Sequence, residues 1–238
     1  MCSPKNRISV FVDLIGFLVS AAVAALIVSF ATPYWYRSDP FRPPIFVLPY
    51  NTLPFDSLGL WMLCYRSGYP NSDIYRRYDT ECRSFFTFFR NQINYPPFFM
   101  ATQALYTIGL AVCFIGFIIL IVTLFAGATR RFLYALGTIF LIGALIIAGS
   151  LIIFGATEYV LWSNRDTEWI FGINAYSDNE LYWSFWLAVA ADGLVFICAV
   201  FYFIEARRVE KLTPVRKPIT ITTVYYPSGE DFIPYTAV

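Results

Sequence analysis

The chain has 238 residues, of which 58% are hydrophobic and only 14% charged, and its mean hydropathy is +0.58. This composition is too apolar for a soluble domain with a polar surface and predicts a membrane protein. The formal net charge of +1 gives no indication of nucleic-acid binding. Histidine is absent from the sequence, and neither a CxxC pair nor a cluster of metal-ligating residues occurs, so we expect no enzyme, metal site or cofactor.

Four apolar segments are long enough to cross the hydrocarbon layer as helices, which takes about 20 residues each. In chain order, the predicted transmembrane helices cover residues 8–31, 101–125, 132–159 and 182–204. An even number of spans places the two ends of the chain on the same side of the membrane. The fold class that this predicts is an all-α membrane bundle of four helices.

The predicted topology follows from the basic residues beside the spans. Such residues cluster in segments 1–7 and 126–131 and at the start of 205–238. Because basic residues near the ends of spans are retained in the cytoplasm, we predict a multi-pass plasma-membrane protein with both termini cytoplasmic. Segments 32–100 and 160–181 are then extracellular.

The first extracellular segment has the composition of a small β-sheet. Aromatic and aliphatic residues recur in 45–48, 58–65 and 81–89, and these runs are separated by turn-forming residues. Prolines at positions 40, 43, 44, 49 and 54 cannot donate to a strand ladder, so residues 39–55 are expected at an edge or in irregular loop.

Two cysteines in this segment, Cys64 and Cys82, are predicted to form a disulfide, because the extracellular compartment is oxidising. Closing a loop of this length stabilises the folded segment by roughly 3 kcal/mol in the chain-entropy model. Cys113 and Cys198 fall within predicted helices, where we expect them to be reduced packing residues.

The fourth predicted helix contains Asp192 deep in its apolar run. A carboxylate at such depth is unfavourable by a few kcal/mol unless it faces the interior of the bundle. Since no second ionisable residue lies at a similar depth, we expect an interhelical hydrogen bond rather than an ion or proton site.

The tail, 205–238, is basic at first and then contains proline and threonine. Its last residues are Thr236, Ala237 and Val238. A hydroxyl at the third-last position and an aliphatic terminal residue suit the groove of a PDZ domain, so a PDZ scaffold protein is a predicted partner.

Together, the markers Trp35, Gly59-Leu60-Trp61, Cys64 and Cys82 resemble the signature of the claudin superfamily, which includes the peripheral myelin and epithelial membrane proteins. The likeness covers about residues 8–206. Here 17 residues separate the two cysteines, and Gln103 stands where vertebrate claudins have arginine. The chain therefore resembles a divergent, invertebrate-type claudin.

The resemblance implies a four-helix bundle capped by an antiparallel sheet, which is built from most of the first extracellular segment and a strand of the second. It also implies a cell junction protein, of the tight or septate type, that assembles with itself and related proteins in one membrane and across the cell gap. Such assemblies make a paracellular barrier or a selective pore. Membrane lipid is a further expected partner, because it surrounds the four predicted transmembrane helices.

Two groups of residues acquire candidate roles from the resemblance. Charges near the second cysteine are where the family places its ion selectivity, which here indicates Arg66, Asp79, Glu81 and Arg83. Phe171 in the second extracellular segment resembles the aromatic contact that claudins use across the cell gap.

Two alternatives within the superfamily stay open: a general adhesion or membrane-organising protein like the myelin and epithelial relatives, which would have no effect on transepithelial resistance, and an auxiliary subunit of a channel. Auxiliary subunits of glutamate receptor and calcium channels share the four spans, the tryptophan and cysteine signature and the PDZ-type tails. The sequence does not separate them from junction proteins, whereas localisation at cell borders or co-purification with a channel would.

Overall fold

The structure of the protein is a computed structural model that describes residues 4–37, 45–47, 52–67, 79–84, 97–126, 129–163 and 180–212. Within these ranges the chain forms four long helices and six short strands. The helices are α1 (Pro4–Ala31), α2 (Pro97–Ala126), α3 (Arg130–Ser163) and α4 (Trp183–Leu212).

All four helices are long and apolar enough to cross a membrane, which is the number of spans that the sequence predicted. Their apolar portions are Val10–Ala31, Pro97–Phe125, Arg130–Ala156 and Trp183–Val209. The helices extend past the predicted spans at most ends, because backbone hydrogen bonding continues into residues that water can solvate. Helix α2 begins at Pro97, where the missing N–H has no intrahelical acceptor to lose.

Helices α2 and α3 approach each other closely at two glycines. A Cβ on Gly109 would lie 3.1 Å from the carbonyl oxygen of Gly143, and a Cβ on Gly143 would overlap the sulfur of Cys113. Cys113 is fully buried and reduced at this crossing. The thiol therefore fills space between the helices, which is the packing role that its sequence position indicated.

The strands form a small antiparallel sheet at one end of the bundle. They are β1 (Tyr36–Arg37), β2 (Ile45–Val47), β3 (Thr52–Leu58), β4 (Met62–Ser67), β5 (Asp79–Ser84) and β6 (Glu180–Leu181). Their order is β5-β4-β3-β1-β6, and β2 pairs with β3 beside this path. Strand β6 follows α3 in the chain, so both segments that were predicted to be extracellular contribute to one sheet.

The strand boundaries differ from the sequence pattern between β3 and β4. Residues 58–65 were predicted as one β run, but the structure divides them between β3 and β4, with residues 59–61 as the connection. The edge strand or irregular loop predicted at residues 39–55 is described only at 45–47 and 52–55, where it agrees with the structure. Pro54 pairs with Ile45 of β2, and within the described ranges the part of β3 at residues 52–54 is paired on that side alone.

Candidate functional site

The junction between the sheet and the helices is organised around Trp35, which is four positions after the end of α1 and is fully buried. Its indole Nε1 donates a hydrogen bond of 2.8 Å to the carbonyl oxygen of Ser29 in α1. The ring makes edge contacts with Tyr106 of α2 at 5.4 Å, Phe154 of α3 at 5.2 Å and Phe185 of α4 at 5.6 Å between centroids. One side chain thus contacts all four helices.

The backbone of Trp35 connects the sheet to the start of α4. Its N–H donates to the carbonyl oxygen of Leu58 in β3, and its own carbonyl oxygen accepts from the N–H of Tyr182, both at 2.9 Å. Strand β1 continues this pairing, with Tyr36 opposite both Leu58 and Leu181. The ring of Trp35 therefore packs among the helices while its backbone is hydrogen-bonded to the sheet. The sheet and the helix bundle cannot shift independently of each other.

Gly59 turns the chain between β3 and β4 against the end of α1. Its N–H donates a 2.9 Å hydrogen bond to the carbonyl oxygen of Met62, which closes the connection. A Cβ at this position would overlap the carbonyl oxygen of Thr32 and the Cα of Pro33. Only glycine allows the backbone to come this close, which explains the first position of the Gly-Leu-Trp motif.

The other two motif residues attach the connection to α1 and α2. Leu60 is fully buried, and its carbonyl oxygen accepts a short hydrogen bond from Nε2 of Gln103 in α2. The ring of Trp61 meets Phe30 of α1 edge-on at 5.3 Å. The amide at position 103, which departs from the family pattern, therefore still supplies a donor to the motif.

A hydroxyl cluster joins α1 to α4 beneath the sheet. Ser29 Oγ donates to the carbonyl oxygen of Ser184 at 2.8 Å, and Thr32 Oγ1 lies 2.8 Å from Ser184 Oγ. Sequence reasoning missed this cluster, because Ser29 and Ser184 are 155 positions apart and nothing in the sequence pairs them. The only local signal was a serine at the end of each predicted helix.

Cys64 and Cys82 form the disulfide that the sequence predicted. The two residues are opposite each other in β4 and β5. Cys64 is buried against the sheet interior, whereas Cys82 is exposed. The bond therefore ties β5 to the better-packed strand β4.

Strand β5 pairs with β4 and with no other strand in the part of the chain that the structure describes. Glu81 and Arg83 alternate with Cys82 and share one face of this edge strand. Their side chains are 50% and 60% exposed and form an ion pair of 3.5 Å. The structure thus places these two charges side by side at the edge of the sheet.

The remaining selectivity candidates lie at the other end of the same hairpin. The register places Arg66 opposite Thr80 and Asp79 opposite Ser67. Phe171 and the tail residues Thr236, Ala237 and Val238 fall outside the described residues.

Asp192 is buried within the bundle, but the predicted hydrogen bond to Oδ1 is not formed. Among the described residues this oxygen has no hydrogen-bond partner. The described ranges contain no group of three potential metal ligands, so the carboxylate is not part of such a cluster.

A family model described as PMP-22/EMP/MP20/Claudin tight junction matches residues 20–204. This range contains all six described strands and the residues named above as contacts of Trp35. A search of the curated proteins found no match.

Proposed function

The chain belongs to the PMP-22/EMP/MP20/claudin family, and from this premise we propose that it is a cell–cell junction protein that forms or organises a paracellular barrier. In this proposal, copies of the chain and related claudin-like proteins assemble side by side in one membrane and across the gap to the neighbouring cell. The sheet is the assembling surface, and the four helices hold it at a fixed height above the bilayer.

The observation that carries this proposal is the attachment of the sheet to the helices. Trp35 contacts all four helices and is hydrogen-bonded to β3 and to the start of α4. Gln103 of α2 adds a further attachment, because it donates a hydrogen bond to Leu60 in the connection between β3 and β4. A sheet that cannot tilt on its bundle can meet neighbouring sheets in a defined orientation, which a barrier with a fixed pore or seal requires.

The proposed topology places the sheet outside the cell and both ends of the chain in the cytoplasm. The basic residues beside the spans support this orientation. The disulfide between Cys64 and Cys82 also supports it, because such bonds persist in the oxidising extracellular compartment and are rare in the cytosol.

The charged face of β5 is the proposed determinant of ion passage. Glu81 and Arg83 lie on the exposed edge strand, and Arg66 and Asp79 belong to the same hairpin. In a paracellular path lined by such edges, a positive residue next to the disulfide disfavours cations through its local field. Phe171 is the proposed contact across the gap, and Thr236, Ala237 and Val238 are the proposed ligand of a PDZ scaffold.

Deletion of the protein from an epithelium that makes it tests the barrier function. We expect transepithelial resistance to fall and a small tracer to cross the cell layer, and we expect re-expression of the intact chain to restore both. The matched control is re-expression of the Gly193→Ala chain, since a Cβ at Gly193 meets nothing within 4 Å.

Unchanged resistance and tracer flux after deletion would contradict the barrier function. If the protein then co-purified with an ion channel and altered its current, the auxiliary-subunit alternative would replace it. Localisation at cell borders without either effect would indicate a general adhesion role.

A further inference from the structure

A continuous strip of aromatic rings runs from the sheet to the membrane-spanning part of α4. The guanidinium carbon of Arg37 lies 5.0 Å from the ring centroid of Tyr182. Tyr182 meets the ring of Tyr34 at 6.2 Å, and Tyr34 meets the ring of Trp183 at 5.7 Å with 34° between their planes. The strip therefore has a cation at one end and two neighbouring rings at the other.

Arg37 keeps most of its hydrogen-bonding capacity in this arrangement. Its Nη1 donates 3.1 Å to the hydroxyl of Tyr182, which is a neutral acceptor. Glu180 is opposite Arg37 in the register, yet no ion pair forms between Arg37 and any carboxylate of the described residues. Since a guanidinium carries five N–H groups in a planar fork, several donors are left for an anion with two or more oxygens.

The two rings at the other end of the strip are partly open. Tyr34 is 38% exposed and Trp183 is 41% exposed. Electron-rich ring faces attract organic cations, most strongly when the cation carries little hydration. A quaternary or primary ammonium group would therefore be favoured at this end.

The length and composition of the spans place the strip at the level where a bilayer changes from hydrocarbon to headgroups. Trp183 is the first residue of the apolar portion of α4, and Tyr34 follows three positions after the last residue of α1. Arg37 belongs to the sheet, beyond the end of the helices. Headgroups of the leaflet at this end of the bundle are thus the molecules at the right depth.

We propose that Arg37, Tyr182, Tyr34 and Trp183 form a binding site for the headgroup of a zwitterionic phospholipid. Arg37 binds the phosphate through its free N–H donors, and Tyr34 and Trp183 bind the ammonium group through their ring faces. Tyr182 orients the guanidinium, since its hydroxyl accepts a hydrogen bond from Arg37 and its ring lies against the guanidinium group. The lipid would fill the space beside the junction of the sheet with α4.

Lipid retention measured by native mass spectrometry on the purified full chain, with its disulfide intact, tests this site. The protein is offered equal amounts of phosphatidylcholine and phosphatidylglycerol, which share the phosphate and differ in the ammonium group. We expect about two- to fivefold preference for phosphatidylcholine, the size of effect that one partly exposed cation–π contact gives. Phosphatidylethanolamine should behave like phosphatidylcholine.

Variants separate the two halves of the site. Arg37→Gln should lower the retention of both lipids, whereas Tyr34→Leu should lower phosphatidylcholine to the level of phosphatidylglycerol and leave phosphatidylglycerol unchanged. Tyr34→Phe keeps the ring and should keep the preference. The matched control is Trp186→Leu, because Trp186 is a 57% exposed ring on the same helix that has no contact with Arg37 or Tyr34.

Three results would overturn the proposal. Equal retention of the two lipids by the unaltered chain would leave no role for the ring faces, and a preference for phosphatidylglycerol would reveal an anion site alone. An equal loss in Tyr34→Leu and Trp186→Leu would show that the rings only anchor the chain at the interface. Thermal unfolding of each variant shows whether a loss of lipid retention is caused by misfolding. Tyr34→Phe should retain lipid as the unaltered chain does, which provides a second control.

Discussion

The two sides of the sheet are attached to the rest of the protein by different means. On the inner side, β1 and the connection after β3 are held by buried rings and hydrogen bonds to four helices, with Trp35 at the centre. On the outer side, within the described ranges, β5 pairs with β4 alone and is tied to it by the disulfide, and its Glu81 and Arg83 are exposed. The inner side therefore determines the position of the sheet on the helices, whereas exposed side chains on the outer side can change without disturbing that position.

Because of this difference, the inner and outer halves of the sheet should tolerate substitutions to different degrees. Buried side chains in the inner half cannot change without leaving a cavity or an unpaired polar atom. Exposed charges on an edge strand can change with little effect on folding, because water solvates them. A family that keeps its fold and alters its contacts would place its variation at the outer edge.

Loss of the central ring should produce the largest effect. Trp35→Ala removes contacts with Tyr106, Phe154 and Phe185 and should lower the free energy of unfolding by about 3–5 kcal/mol. Thermal unfolding in detergent and surface biotinylation in cells measure this directly. Trp186→Ala is the control, because that ring is exposed, and a comparable loss in both variants would contradict the central role of Trp35.

Removal of the disulfide should destabilise the outer side of the sheet and leave the stability of the inner side unchanged. The paired change Cys64→Ser and Cys82→Ser should destabilise the outer strands by roughly 3 kcal/mol in the chain-entropy model. Amide hydrogen exchange should then accelerate in β4 and β5 and stay slow around Trp35. Uniform acceleration across the sheet would show that the inner side depends on the bond as well.

A single methyl group at the connection should disturb the inner side. Gly59→Ala brings a Cβ into the backbone of Thr32 and Pro33, and such overpacking lowers stability by about 1–3 kcal/mol. Gly193→Ala is the matched control, because a Cβ there meets nothing and alanine favours the helix by up to about 1 kcal/mol. A shift of unfolding temperature in the same direction for both variants would be evidence against the steric explanation.

The side-chain amide of Gln103 should stabilise the fold by donating a hydrogen bond. Gln103→Met leaves the Leu60 carbonyl oxygen without this hydrogen bond and should lower stability by about 1–3 kcal/mol. Gln103→Arg retains N–H donors at the end of a longer side chain and should be closer to the unaltered chain. If the two variants unfold at the same temperature, the hydrogen bond to Leu60 is not what stabilises this connection.

The parts of this structure that the sequence predicted are those set by local length and by covalent chemistry. Four apolar runs of membrane-spanning length predicted the helices, and two cysteines in one polar segment predicted the disulfide. The resemblance added the strand from the second segment, which only two residues form and which no propensity argument would find.

What the sequence did not predict depends on contacts between distant positions. The break between β3 and β4 arises because Gly59 meets the backbone at Thr32, and a β-type run carries no sign of that constraint. The pairing of Ser29 with Ser184 and of Gln103 with Leu60 likewise needs the helices to be in place first. For Asp192, depth in the span was evident from the sequence, but the lack of a hydrogen-bond partner for Oδ1 among the described residues was not.

The smallest effect on stability should come from the outer edge, where we expect the clearest effect on function. Arg83→Glu replaces an exposed ion pair with two like charges on one face of β5, and exposed pairs contribute about 1 kcal/mol or less. If this edge lines a paracellular path, the field of two carboxylates should raise the permeability to sodium relative to chloride, measured as a dilution potential across an expressing cell layer. Arg83→Gln should give an intermediate ratio, because it removes the positive charge without adding a negative one. An unchanged ratio in both variants, with normal surface delivery and resistance, would show that these charges are solvated edge residues and that any selectivity of the path is determined elsewhere on the sheet.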